Sequence, residues 1–337
     1  MNEHRYMNME KATVLVSGAN GFLAANVVRE LLSRGYRVRG MIRENARLTS
    51  LEHIKIEYFS GQITKREDVD RAVEGCSVVI HVAADTSQRY DTAAPLMQVN
   101  VTATRYFIEA CKKHAVGRFI FVSTGNTIDF GSLENPGHEG NPLGKLFRKS
   151  GYALSKLMAE EQVVEAVKND KLSAVIVNPT FMIGPYDSKP SSGRILQMMV
   201  PHSLVFIPKG GKNFVDVKAV ATAICNAIDR GTPGERYLLA GINLSYREFL
   251  ALVRKGKKTL AVVLPGWLLL SMGAIGSLFR KLGIASELSV NNARILCSDD
   301  FYTNRKARSE LDMPESNIEQ AVSEAIEWMK EHGMLGK

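Results

Sequence analysis

The sequence predicts an α/β protein: a doubly wound parallel sheet within residues 11–180, followed by a smaller C-terminal substrate-binding lobe within residues 181–337. Three observations predict it. Short β-rich apolar runs alternate with stretches of helical length through the first half, the pattern of parallel strands joined by crossover helices. The first of these runs passes into a helix through a glycine-rich turn, Ser17-Gly18-Ala19-Asn20-Gly21. Beyond residue 180 the rhythm breaks into Pro/Gly/Ser-rich passages and shorter elements. With 337 residues, 45% hydrophobic and 23% charged, the chain can bury a large core and is neither disordered nor fibrous.

Taken in order, residues 13–17 read as the first strand, 26–34 as its helix, 36–42 as the second strand and 54–59 as the third. Residues 78–82 supply the fourth, 101–114 a helix, and 118–123 the fifth strand. Residues 151–168 form a long helix, and 174–177 a buried strand ending at Asn178-Pro179. Each strand is short, rich in Val, Ile and Phe, and bounded by turn residues. Past Gly184-Pro185-Tyr186 and Lys189-Pro190-Ser191-Ser192-Gly193 the loops suit a substrate-binding lobe. Residues 217–229 return to a helical period, so 213–230 is expected to pack back on the first domain. An amphipathic helix over 318–332 closes the chain.

Composition narrows the partners. The formal charge of +8 comes from basic residues scattered among acids, which argues against nucleic acid and fits a basic mouth for an anionic cofactor. Cys76, Cys111, Cys225 and Cys297 lie far apart, with no CxxC pair and no histidines at ligand spacing. Free thiols, a cytoplasmic setting and no metal are therefore expected. Residues 1–11 are polar, without the apolar core of a signal peptide, and read as a loose extension. Residues 259–279 carry no charge, yet Pro265-Gly266 and three further small residues break the run; a strand and a short apolar helix are expected instead of a transmembrane span.

The glycine turn points to a dinucleotide. Gly18 permits the tight turn and Gly21 a close backbone approach to a pyrophosphate over the helix N-terminus; Ala24 stands where a third glycine or alanine lets helix and strand pack closely. The end of the second strand, Arg39-Gly40-Met41-Ile42-Arg43, is basic where NAD-selective sites place a carboxylate. NADP(H) is favoured on that ground, and NAD(H) stays open because Glu44 follows.

Tyr152 and Lys156 stand at i and i+4 on one helical face, where an ammonium can favour the phenolate and so lower a phenol's ordinary pKa. The fifth strand ends in Ser123-Thr124-Gly125-Asn126, hydroxyls at the carboxyl edge of the sheet where open α/β folds bind ligands. Either hydroxyl can hold a substrate oxygen while the tyrosine moves a proton. His81, inside an apolar strand, reads as a core residue.

Together these features resemble the extended short-chain dehydrogenases/reductases, the NAD-dependent epimerase/dehydratase family with a Rossmann domain. The likeness is carried by residues 17–21, 78–84, 99–102, 122–124, 152–156 and 178–185, with Arg43 and Lys306-Ala307-Arg308-Ser309-Glu310-Leu311 closest to its dihydroflavonol-reductase-like branch. The resemblance implies Thr124 as catalytic hydroxyl, with Ser123 as its neighbour, Tyr152 as acid–base, Lys156 as its partner and Asn100 in support. It implies a cofactor set of Gly18, Asn20, Gly21, Phe22, Leu23, Arg43, Gln62, Ile63, Val82, Ala83, Ala84, Tyr152, Lys156 and Pro179. Gln62 departs from the family's frequent aspartate, and Thr124 from its frequent serine. Candidate substrate contacts are Asp85, Thr86, Asn126, Met182, Tyr186 and Arg194.

The expected activity is reversible hydride transfer to a ketone or aldehyde, with Tyr152 protonating the oxygen. Two rivals share the scaffold: a nucleotide-sugar epimerase/dehydratase that retains NAD, and a non-catalytic NADP(H)-sensing protein. The helices over 101–114 and 151–168 are candidates for a four-helix homodimer contact.

Overall fold

A computed structural model describes residues 12–282, 286 and 288–335, so the expected extension at 1–11 lies outside the described residues. The first half runs β1 (Thr13–Ser17), α1 (Phe22–Ser33), β2 (Arg37–Ile42), β3 (Glu57–Ser60), α2 (Arg66–Val73), β4 (Val78–His81), α3 (Ala103–Lys113), β5 (Arg118–Val122), α4 (Gly151–Asp170) and β6 (Ala174–Pro179). The second half runs β7 (Phe181–Ile183), α5 (Arg194–Met199), β8 (Leu204–Ile207), β9 (Gly211–Asp216), α6 (Val217–Arg230), β10 (Arg236–Leu239), β11 (Ile242–Ser245) and α7 (Tyr246–Arg254). It ends with β12 (Leu260–Val263), α8 (Gly266–Lys281), α9 (Val290–Leu296), β13 (Asp299–Asp300), α10 (Arg305–Leu311) and α11 (Ile318–Glu331).

The main sheet has the order β10-β6-β5-β4-β1-β2-β3, and every pairing in it is parallel. The strand order reverses between β1 and β4, and the crevice at that switch point is where such sheets hold ligands. β4 and β6 are buried along their whole length, as strands covered on both faces must be. One core lies between the sheet and α1 and α6, and a second between the sheet and α2, α3 and α4.

Residues past 180 return to this sheet. α6 lies beside α1, β10 adds the seventh strand, and α10 covers both, with Tyr237 donating to Glu310 at 2.8 Å. The remaining lobe is built on β7, β9, β11 and β13 and closed by α5, α7 and α11 over its own core of Phe214, Phe249 and Trp328. Ser245 and Glu248 form a capping box at the start of α7.

Some boundaries shift. β3 begins at Glu57 because Ile54 and Ile56 pack sideways against the first core before the chain straightens. α2, unpredicted, buries only Val69, Ala72 and Val73 and so shows little apolar period. α8 is 16 residues long, more than the short helix expected, and no helix among the described residues is long and apolar enough to cross a membrane.

Candidate active site

The cofactor end is shaped by backbone. Gly18 has φ +64°, and a Cβ there would stand 3.0 Å from the Ala83 Cβ, so β1 and the segment after β4 meet at a point only glycine allows. Gly21 precedes α1 with no side-chain cap, and the first turn of α1 carries no acid. The peptide N–H groups of Phe22 and Leu23 therefore open a positive helix end toward the crevice. This cradle fits a dinucleotide's pyrophosphate. Ser17 Oγ accepts from Val82 N and Ala83 N, both at 3.0 Å, fixing the turn after β4. Having accepted twice, it donates its proton to His81 Nδ1 at 2.8 Å. Burial keeps His81 neutral, and its Nε2 has no partner among the described residues.

Beyond β2 the two arginines part. Arg39 turns to the far face, where it binds Glu57 at 2.7 Å and the carbonyls of Ala72 and Glu74. Arg43 is exposed, its carbonyl accepts from Ala46 N at 3.1 Å, and its side chain has no ion pair or hydrogen bond among the described residues. The loop after it folds back so that Asn20 Nδ2 donates to the Arg47 carbonyl at 3.0 Å. Gln62 is exposed and its N–H donates to Asp68, a carboxylate six positions on. Ile63 packs partly against the second core.

At the carboxyl edge of β5 and the start of α4 the catalytic candidates converge. Tyr152 and Lys156 are buried, as are Ser123 and Thr124. The Ser123 hydroxyl has no hydrogen-bond partner among the described residues, and Thr124 caps the turn Gly125–Thr127 through Asn126 N. Burial pushes the Tyr152 phenol up to about 12, with the Thr124 hydroxyl opposing. Lys156 Nζ donates to the Val122 carbonyl at 2.8 Å and stands 4.0 Å above the Phe121 ring. Burial pulls its pKa down to about 7, with Glu160 opposing. The expected lowering of the phenol by Lys156 is not found here: the ammonium is spent on a sheet carbonyl, and desolvation governs the tyrosine.

Asn100 lies in a π-helical segment, Met97–Thr102, that leads into α3. Its side chain donates to Ser155 Oγ and the Asp85 carbonyl, both at 2.9 Å, and accepts from Asp85 N at 2.8 Å. It thus ties α4 to the loop after β4. Beneath Thr124 sits a network that sequence reasoning missed. Glu160, buried one turn past Lys156, accepts from Thr127 Oγ1 and Asn178 Nδ2, each at 2.7 Å. Asn178 also donates to the Thr124 carbonyl at 3.1 Å. From the lobe, Tyr302 reaches the Gly125 and Ile128 carbonyls at 3.3 and 3.2 Å and braces the same turn. Spacing held a signal: Tyr152, Lys156 and Glu160 share one face at i, i+4, i+8.

A family profile described as the NAD dependent epimerase/dehydratase family matches residues 14–240. The chain belongs to this family. Among its relatives is a Synechocystis sp. protein provisionally named dihydroflavonol 4-reductase, 30% identical, with 95% of each chain covered. Sterol demethylase protein B of Methylococcus capsulatus is 28% identical over 96% of this chain and 100% of its own. The crystal structure of gox2253 superposes with a TM-score of 0.83 at 28% identity, covering 96% of this chain and 99% of its own. As an epimerase/dehydratase family member of extended short-chain type, the chain is an NAD(P)-dependent oxidoreductase.

The expected substrate contacts lie after β4 and β5, in and after β7, and at the start of α5. Asp85 is held by Asn100 and accepts from Ser87 N, whereas Thr86 is exposed. Asn126 is half-buried beside Thr124, and Pro179 and Thr180 lie against Gly125. Met182 is partly buried against the first core and Arg194 opens α5 at the surface. Tyr186 is taken up elsewhere: the Arg29 guanidinium lies 3.5 Å over its ring and Trp328 meets it edge-on, so it pins the lobe to α1.

Proposed function

We propose that the chain is an NADP(H)-dependent reductase of a ketone or aldehyde, with Thr124, Tyr152 and Lys156 as catalytic residues. The observation that carries this reading is the convergence of a buried hydroxyl, a buried phenol that keeps its proton and a buried amine at the carboxyl edge of a dinucleotide-binding sheet. The Arg43 side chain, exposed at the end of β2 and without a partner among the described residues, supports the phosphorylated cofactor. Free thiols among the described cysteines support a reducing, cytoplasmic setting. Residues before 180 take the cofactor and the lobe beyond takes the substrate.

The nicotinamide, when bound, supplies the hydride. The protein's own task is the proton. Thr124 Oγ1, with Ser123 Oγ next to it, holds the carbonyl oxygen, and Tyr152 donates its phenolic proton to that oxygen as negative charge develops. Lys156, whose charge burial disfavours, supplies the cation that steadies the phenolate left behind, and Glu160 opposes the loss of that charge.

A panel of ketones and aldehydes followed by NADPH absorbance tests the reading. Tyr152→Phe is expected to bind NADPH as before and to lose turnover by roughly 10²–10⁴-fold. Equal turnover by both proteins refutes the assignment. Tightly retained NAD, with conversion of a nucleotide sugar in the absence of added cofactor, establishes the epimerase instead.

A further inference from the structure

Helix α8 is turned inside out relative to an ordinary surface helix. Its small residues face inward: a Cβ on Gly273 would meet the Ser289 carbonyl at 2.6 Å, and one on Gly276 the Leu288 carbonyl at 2.5 Å. Its large apolar residues face water. Trp267 is 69% exposed, Ile275 56% and Leu278 55%, with Leu270 and Phe279 beside them, and no ionisable residue occurs between Gly266 and Phe279. Leu260 of β12, six residues before the helix, is equally bare. A face of this kind is built to be covered.

The charge around it says by what. Residues 249–298 hold seven Lys and Arg against the single Glu287, with Lys255 paired to Glu319 and Arg280 to Asp91. Lys257 and Lys258 stand exposed just before β12. A second copy seated on this face by two-fold symmetry would bring two such segments together and be repelled. An anionic lipid surface complements both the apolar face and the charge. At 16 residues α8 cannot cross a bilayer, so it must lie in the interface plane. Its far end is tied to the site: Arg280 binds Asp91 at 2.6 Å and the Gln88 carbonyl at 2.8 Å, and the Tyr90 carbonyl accepts from Gly151 N, next to Tyr152.

We propose that α8 docks the protein on an anionic membrane, burying its apolar outer face among the acyl chains with Lys257 and Lys258 on the headgroups. Docking is read without turnover, so it stands or falls separately from the carbonyl chemistry. The full chain is mixed with vesicles of equimolar phosphatidylcholine and phosphatidylglycerol and floated on a density gradient. It is expected to rise with these vesicles, to rise far less with phosphatidylcholine alone, and to show a blue shift of Trp267 emission against the constant signal of buried Trp328. Ile275→Glu with Leu278→Glu abolishes both effects; these side chains are mostly in water, so the thermal transition should stay in place. Lys257→Gln with Lys258→Gln, which leaves the apolar face intact, weakens partitioning roughly 25-fold, about fivefold per lysine. Three results overturn the proposal: protein left in the aqueous fraction, equal binding to neutral vesicles, or a dimer in solution that Ile275→Glu splits.

Discussion

Glu160 offers the sharpest test of how the site is held, because it touches no reacting atom and acts through others. In Glu160→Ala the Thr127 hydroxyl and the Asn178 amide each lose a charged acceptor at 2.7 Å. Hydrogen bonds to charged groups contribute roughly 1.5–3 kcal/mol each. Both donors keep a second acceptor in the Thr124 carbonyl, and Arg236, 3.4 Å away and partly exposed, keeps the Glu139 carbonyl. The expected loss is therefore near the low end, about 3 kcal/mol for alanine and about 1 kcal/mol for glutamine, which retains the volume and one oxygen. Urea unfolding measures it. A positioning role carries a second signature: without the carboxylate the Lys156 pKa falls further below about 7. Lys156 is lowered in the folded state, so the unfolded chain binds the extra proton and stability rises with pH above the folded value. In Glu160→Gln that rise must begin at lower pH than in the parent protein. A loss under roughly 0.5 kcal/mol for alanine, or a uniform loss at every pH, refutes the reasoning.

Three further outcomes follow from the same geometry. Gly18→Ala meets both a left-handed backbone and the Ala83 Cβ, and should lose about 1–2 kcal/mol in urea unfolding and weaken NADPH binding. Gly35→Ala, also at positive φ but with open space around it, bears the backbone cost alone and should leave NADPH binding unchanged. Arg43→Glu should lower the affinity for NADPH relative to NADH by roughly 10–100-fold in fluorescence titrations, since one charge-assisted contact contributes roughly 1.5–3 kcal/mol; an equal loss for both cofactors refutes its role. Between pH 7 and 9 stability should rise by roughly 1 kcal/mol per pH unit on account of Lys156, and fall again above 9 because burial raises the Cys76, Cys111 and Cys225 thiols from 9.0, joined above 10 by Tyr152. Lys156→Met should flatten the first slope only.

The first half of the fold was legible because its strands are short, β-branched and punctuated, and because a parallel sheet needs a crossover helix between each pair. The placing of Tyr152 and Lys156 on one helix beside the hydroxyls at a strand end was legible by helical spacing and strand pattern. Other features lay beyond local pattern. The π-helical turn at Asn100, within Met97–Thr102, has no residue signature by which a sequence pattern could mark it. The fate of Arg39 and Arg43 depends on which face of β2 each occupies, and Arg39 found Glu57 only when β3 was laid beside it in register. Likewise helical spacing puts Lys156 on the face of Tyr152, and only the assembled sheet shows its amine donating to the Val122 carbonyl of β5. Tyr186 stood among the candidate substrate contacts of the loop-rich lobe, and Arg29 on α1, 157 positions earlier, stacks on its ring.

The return of α6 and β10 to the main sheet constrains how the chain can be made and cut. A ribosome that has delivered only the first 180 residues has released β6, buried along all six residues in the finished fold, as an open edge that waits for Arg236–Leu239 to zip onto it. Until then the row of bare peptide groups is a template for any neighbouring nascent strand, and α1 lacks the helix that shields it. A fragment severed at residue 180 should aggregate, and one ended after α10 would leave the lobe's core without α11.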